Sequence, residues 1–85
     1  MDTNENYVTV VFSKVQDIQA LDNLVNTVVS YPIVKRKEQN NGIVAYVVQG
    51  ILPDTAMPLF REALDDNGMQ DVDIVASIGN IFKLV

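Results

Sequence analysis

The chain has 85 residues, of which 48% are hydrophobic and 20% are charged, a composition typical of a globular domain. Its net charge of −5 argues against nucleic acid and anionic membranes as main partners, because both require a basic surface. It contains no cysteine and no histidine, which excludes disulfides, thiolate metal sites and the commonest general base. We expect one domain over residues 1–85, with neither a metal ion nor a cofactor.

The first six residues are polar and acidic, which predicts a frayed tail and does not fit a signal peptide. A cytoplasmic location is therefore expected. The next seven residues, Tyr7–Ser13, predict a first strand. Its alternation places Val8, Val10 and Phe12 on one face and Tyr7, Thr9 and Val11 on the other.

A first helix is predicted from Ile18, with Asp17 as its N-cap. Pro32 disfavours helical geometry at the residue before it, so the helix should stop near Ser30. The apolar stripe consists of Ile18, Leu21, Leu24, Val25, Val28 and Val29, at the spacing of an amphipathic helix.

The second predicted strand, Ile33–Gln39, is far more charged than the first. Its centre is Lys35, Arg36 and Lys37, and alternation sends Arg36 to the face opposite the two lysines. The three cations therefore do not form one compact anion site. They indicate an edge strand protected from pairing with other chains.

Asn40, Asn41 and Gly42 form a strong hairpin signal, because these residue types tolerate positive φ. The third predicted strand, Ile43–Gln49, follows directly and contains no charged residue. Both of its faces are apolar, which predicts a strand in the middle of a sheet with cover on both sides.

A second helix is predicted to begin around Pro53, capped by Asp54 or Thr55, with Pro58 tolerated in its first turn. Gly68 is expected to end it in a left-handed conformation. A fourth strand is predicted over residues 72–78. Gly79 then leaves two alternatives, a tight turn into a short fifth strand over residues 81–85 or a bulge within a longer fourth strand.

The element order is β-α-β-β-α-β, with the two β-α-β units joined by the hairpin. This order resembles the ferredoxin-like superfold, an α+β two-layer sandwich. The resemblance implies an antiparallel sheet of order 4-1-3-2, with both helices on one side. The superfold hosts many functions, so it does not by itself indicate one.

The sheet then has one side under the helices and one side away from them. We expect small aliphatic side chains under the helices: Val8, Val10, Phe12, Ile43, Ala45, Val47, Ile74, Ala76 and Ile78. The other side would carry Tyr7, Thr9, Val11, Val44, Tyr46, Val48, Val75 and Ser77. That side is apolar enough to predict an interface, and we expect a homodimer with Tyr46 near its centre. The alternatives are a swapped face assignment and a C-terminal segment that covers the face.

Other motifs give weaker indications of a function. Four aspartates cluster around the end of the second helix: Asp65, Asp66, Asp71 and Asp73. They lack the spacing of a calcium loop and indicate a solvated acidic surface. Tyr7 and Tyr46 occupy strand positions similar to those of RNA-recognition domains, but the aromatic and basic residues of that motif are missing around Ile43 and Ala45. The serines have no histidine to activate them, so an enzyme is not expected.

The loop over residues 13–17 is where the fold resemblance offers a ligand site. ACT-like regulatory domains bind small molecules near this connection, but this loop has no glycine to admit a ligand to its backbone. The expected function is therefore a non-enzymatic regulatory or protein-interaction module that assembles through the sheet face away from the helices. The alternative is an ACT-like small-ligand sensor.

Overall fold

The computed structural model describes residues 7–79. The elements are β1 (Tyr7–Ser13), α1 (Ile18–Val28), β2 (Ile33–Gln39), β3 (Ile43–Gln49), α2 (Pro53–Asp66) and β4 (Asp73–Ile78). They form an α+β fold with a four-stranded antiparallel sheet and two helices. The predicted tail over residues 1–6 and the predicted fifth strand over residues 81–85 lie outside the described residues.

Across the sheet the strands lie in the order β2-β3-β1-β4, which reads β4-β1-β3-β2 from the opposite edge. β1 pairs with both β3 and β4, and β3 pairs with both β1 and β2. The prediction that β1 and β3 are the inner strands is therefore confirmed, and so is the edge position of the charged β2. A register shift between Ile33 and Lys35 marks a bulge in β2.

Helix α1 begins at Ile18, directly after the predicted cap Asp17. The Asp17 carboxylate accepts a hydrogen bond from the backbone N–H of Ala20 at 3.1 Å, which satisfies one of the free amides of the first turn. The helix ends at Val28, two residues before the predicted limit. The N–H of Val29 still bonds to the Val25 carbonyl, after which the backbone turns extended ahead of Pro32.

Helix α2 begins at Pro53, as predicted, but its cap differs from the prediction. Its N-cap is Leu52, with Pro53 in the first helical position, so neither Asp54 nor Thr55 is the cap. The N-cap makes no side-chain hydrogen bond, because leucine has no acceptor. Pro58 lies beyond the first turn, inside the helix, where its missing N–H leaves one backbone carbonyl without its usual partner.

The end of α2 confirms the prediction for Gly68, whose φ is +75°. The N–H of Met69 bonds to the Leu64 carbonyl at 2.9 Å and that of Gly68 reaches the Asp65 carbonyl at 3.5 Å, which is a Schellman motif. Arg61 holds the following loop, because its guanidinium donates to the Val72 carbonyl at 2.9 Å.

The hydrophobic core lies between the helices and one face of the sheet. Phe12 stands at its centre and meets the rings of Tyr46 and Phe60 edge to face, with centroids 5.6 Å and 5.4 Å apart. All the buried residues of both helices belong to this cluster, so both helices cover the same face. The strand residues in it are Val8, Val10, Phe12, Val44, Tyr46 and Val48.

The β2–β3 hairpin also fixes the loop between β1 and α1. Gly42 adopts a φ of +74°, and its carbonyl accepts the N–H of Val15 at 2.9 Å. A Cβ at Gly42 would stand 2.7 Å from the backbone oxygen of Val15. Only glycine fits here, for reasons of both backbone conformation and space.

Candidate functional site

The candidate site is the sheet face opposite the helices, which we call the second sheet face. Residues directly paired across an antiparallel sheet share a face, so the strand register defines its members. They are Tyr7, Thr9, Val11 and Ser13 on β1, Ile43, Ala45, Val47 and Gln49 on β3, Asp73, Val75 and Ser77 on β4, and Lys35, Lys37 and Gln39 on β2.

The predicted orientation of β3 is wrong. Tyr46 pairs with Val10, and its two alternate neighbours Val44 and Val48 pair with Phe12 and Val8, all of which face the helices. These three residues of β3 are at most 1% exposed, in the core. They are therefore absent from the second sheet face, where Ile43, Ala45 and Val47 stand instead. Because both sets are apolar, the strand's composition could not distinguish them.

The other four predicted interface residues do lie together on the second sheet face. Val11 has Ala45 on one side and Val75 on the other. Thr9 stands between Val47 and Ser77 in the same way, and Tyr7 lies at the start of the same strand. Apolar side chains remain on this face along the inner strands and at Val75, with one tyrosine rather than two, whereas Lys35, Lys37 and Asp73 stand on its edge strands.

Burial across the second sheet face is uneven. Thr9 and Val47 at its centre have no exposed surface, and Ala45 is 4% exposed. The Thr9 hydroxyl donates to the Gly79 carbonyl at 2.7 Å, so this polar group is satisfied away from water. Val75 on β4, by contrast, is 60% exposed. The accessible apolar surface therefore lies on the β4 side of the face.

A polar cluster that the sequence did not predict links α1 to the sheet. The Asp22 carboxylate on α1 accepts hydrogen bonds from Nε and from a terminal nitrogen of Arg36, at 2.9 Å and 2.8 Å, in a bidentate ion pair. The Tyr46 hydroxyl donates to the same carboxylate, and Arg36 also bonds Glu38 at 2.9 Å. Alternation had placed Arg36 on the face opposite Lys35 and Lys37, but no local signal indicated Asp22, because its partners are 14 and 24 residues away.

The ionisation of this cluster favours structure over catalysis. Burial alone would raise the pKa of the Asp22 carboxyl, but hydrogen bonds from Arg36 and Tyr46 hold that pKa below its usual value. The pKa of the Tyr46 phenol is raised, because burial and the Asp22 carboxylate both disfavour the phenolate. The groups thus keep their charge states throughout the neutral range, and none is tuned for proton transfer near pH 7. The cluster fastens the edge strand β2 to helix α1.

The loop over residues 13–17 borders a small pocket of about 170 Å³. Lys14 has a φ of +63°, which is unusual outside glycine, and its ammonium group lies 3.2 Å from the Asp73 carboxylate. Val15, Asp17 and Met69 complete the main walls. The volume is below the 300–1,000 Å³ common for ligand pockets.

Metal binding finds no support among residues 7–79, where no three acidic side chains are grouped so that they could hold an ion. Asp65 instead forms an ion pair with Arg61 at 3.1 Å. Neither of the helices in the described part of the chain has the length and apolar character needed to cross a membrane.

Comparison of this chain with protein-family models, with curated proteins and with solved structures found no match.

Proposed function

We propose that this domain is a non-enzymatic protein-interaction module that assembles with itself through the second sheet face. The observation that supports the proposal is the exposed apolar surface on that face, led by Val75 at 60% exposure. Val11 pairs directly with Val75 and is half-buried, and Tyr7 and Ile43 are half-buried elsewhere on the same face. Apolar surface of this kind marks interaction sites when it is contiguous.

The chemistry of the face supports an assembly partner rather than a substrate. Its centre offers only aliphatic side chains and the hydroxyl of Thr9, which already donates to Gly79. Histidine is absent from the whole chain. The groups whose pKa values are shifted, the Asp22 carboxyl, the Tyr46 phenol and the Arg36 guanidinium, are hydrogen-bonded to one another. A small regulatory domain without catalytic groups fits these observations best.

The fold class that fits best is the ferredoxin-like sandwich. The β-α-β-β-α-β order, the inner position of β1 and β3, and the two helices on one side of the sheet support this assignment. In such a domain the face away from the helices can pack against a second sheet where it is exposed, which in this chain is on the β4 side.

A small-ligand sensor of ACT-like type is the second candidate. It is favoured by the left-handed backbone of Lys14 beside the loop pocket, because strained backbone concentrates at functional sites. A thermal-shift screen against amino acids and nucleotides tests this candidate, since a ligand specific for the folded state raises the melting temperature. No shift with any compound at millimolar concentration would contradict it.

The main proposal is tested by Val75→Asp, with Leu52→Asp as a matched control. The two side chains have similar exposures of 60% and 67%, and both changes add one negative charge, but Leu52 caps α2 and lies off the sheet. Burying an unpaired carboxylate in an interface is costly, so Val75→Asp should weaken self-association by about tenfold or more. Leu52→Asp should leave it unchanged.

Sedimentation velocity over about 10 µM to about 1 mM protein measures the association. Apolar contact should survive added salt, whereas a contact between the basic β2 edge and the acidic residues near β4 would weaken as salt screens it. A wild-type chain that stays monomeric throughout this range contradicts the proposal, as does equal weakening by both variants.

A further inference from the structure

The two edges of the sheet differ in how they are protected. The β2 edge carries Lys35, Arg36, Lys37 and Glu38, follows Pro32 and contains a bulge, all of which discourage pairing with another strand. The β4 edge has none of these devices between Ile74 and Ile78. Among the described residues its one strand neighbour is β1.

Exposure on β4 agrees with this contrast. Val75 is 60% exposed and Ile78 is 73% exposed, the two highest values among large hydrophobic residues of the described strands. The strand Asp73–Ile78 has one charge, at its first residue, and three β-branched aliphatic residues. An edge that is uncharged from Ile74 to Ile78 and rich in β-branched residues is suited to accept another strand.

One hydrogen bond shows which backbone groups of β4 point away from β1. The N–H of Gly79 donates to the Tyr7 carbonyl, so Gly79 and Tyr7 form a hydrogen-bonded pair. Such pairs alternate along an antiparallel ladder, and Ser77 and Val75 are therefore bonded to β1. The N–H and C=O groups of Ile74, Ala76 and Ile78 point away from β1, to a side where residues 7–79 place no strand.

We propose that β4 pairs antiparallel with β4 of a second copy of this chain, about a two-fold axis at Ala76. The inference rests on the proposed self-assembly but places the contact at the β4 edge, as an alternative to packing between two second sheet faces. The axis pairs Ala76 with Ala76 of the second copy and Ile74 with its Ile78. All three outward residues of each copy then exchange hydrogen bonds, and the two sheets become one sheet of eight strands.

A second copy suits this edge because the pairing is self-complementary and brings no like charges together. The two Asp73 residues fall at opposite ends of the paired strands, roughly 20 Å apart at about 3.4 Å per residue. This separation exceeds the Debye length at physiological salt, and each Asp73 already has Lys14 at 3.2 Å. Val75 of each copy lies beside Ser77 of the other, so the second sheet faces also become continuous.

Ala76→Pro tests the proposal sharply. Proline removes the outward N–H and leaves the bonds from Val75 and Ser77 to β1 in place, and edge strands tolerate proline where the N–H faces outward. Two hydrogen bonds per dimer are lost by symmetry, so the dissociation constant of the dimer should rise by about tenfold or more. Ile78→Lys, at a 73% exposed position, provides a second variant that keeps the backbone intact.

Ile43→Asp provides the contrast, because it changes the second sheet face on β3, two strands away from β4. Circular dichroism and urea titration establish that each variant is folded. Sedimentation velocity then gives the dissociation constants, and amide chemical shifts of the wild type, followed on dilution, locate the contact. We expect concentration-dependent shifts at the amides of Ile74, Ala76 and Ile78.

The effects of these variants distinguish pairing of the β4 edges from packing between the second sheet faces. Dimers weakened by Ala76→Pro and Ile78→Lys, but not by Ile43→Asp, support edge pairing. Dimers weakened only by Ile43→Asp overturn edge pairing and leave the face-to-face assembly standing. A monomeric wild type, even one whose β4 binds an extended peptide of another protein, overturns both.

Discussion

Gly42 and Gly68 offer a test in which one glycine acts as the control of the other. Their φ values are +74° and +75°, so replacement by alanine imposes the same backbone strain at both positions. The surroundings differ, because a Cβ at Gly68 meets nothing within 4 Å whereas one at Gly42 stands 2.7 Å from the Val15 oxygen.

At both positions alanine strains the left-handed backbone of the folded state, which lowers the free energy of unfolding. Alanine also reduces the entropy of the unfolded chain, which offsets part of that loss and leaves a net cost of about 1 kcal/mol. Gly68→Ala should lose only this amount. Gly42→Ala must also move the backbone of Val15, which breaks a 2.9 Å hydrogen bond and disturbs a side chain that is 7% exposed. We expect a total loss of about 2–3 kcal/mol.

Urea denaturation followed by circular dichroism measures both losses. With an m-value of about 1 kcal/mol/M, the midpoint should fall by about 1 M for Gly68→Ala and by about 2–3 M for Gly42→Ala. Equal losses for the two variants would refute the close approach between the hairpin and the β1–α1 loop. No loss at Gly68 would refute its role as the helix terminator.

Two further predictions concern helix α2 and the polar cluster. Leu52→Asp should raise the free energy of unfolding by about 1 kcal/mol in urea, because it supplies the N-cap acceptor that α2 lacks at a 67% exposed position. Asp22 has a folded pKa below its unfolded value of 3.8, so its contribution to stability is present above that pH and is lost as pH falls through the folded pKa. Asp22→Asn should therefore be less stable than wild type at neutral pH but lose less stability between about pH 5 and about pH 2, and parallel acid curves would contradict this.

The bounds of the first three strands and the start of α1 could be predicted because their signals are local, whereas β4 begins at Asp73, one residue later than predicted. A run of β-branched residues defines β1, and Asp17 supplies a cap that acts within three residues. The left-handed end of α2 at Gly68 is equally local. The cap of α2 was mispredicted, since a polar residue was expected there and Leu52 takes that position without a side-chain hydrogen bond.

The candidate site was only partly predictable. Tyr7, Thr9, Val11 and Val75 were assigned to the correct face, because β1 and β4 have distinguishable sides. Residues of β3 were assigned to the wrong face, since a shift of one residue in register exchanges its two apolar sides. The interface itself remains a prediction.

Local sequence patterns predicted which segments form helices and strands, that β2 is an edge strand and β3 an inner strand, and that the inner strands carry apolar residues on the side away from the helices. Contacts within the folded chain set which side of β3 meets the helices and place Tyr46 in the core beside Asp22 and Arg36. The two kinds of information differ in the sequence distance over which they act. Caps, turns and alternation act between residues a few positions apart, whereas register and a three-residue polar cluster depend on contacts between segments that only the folded chain brings together.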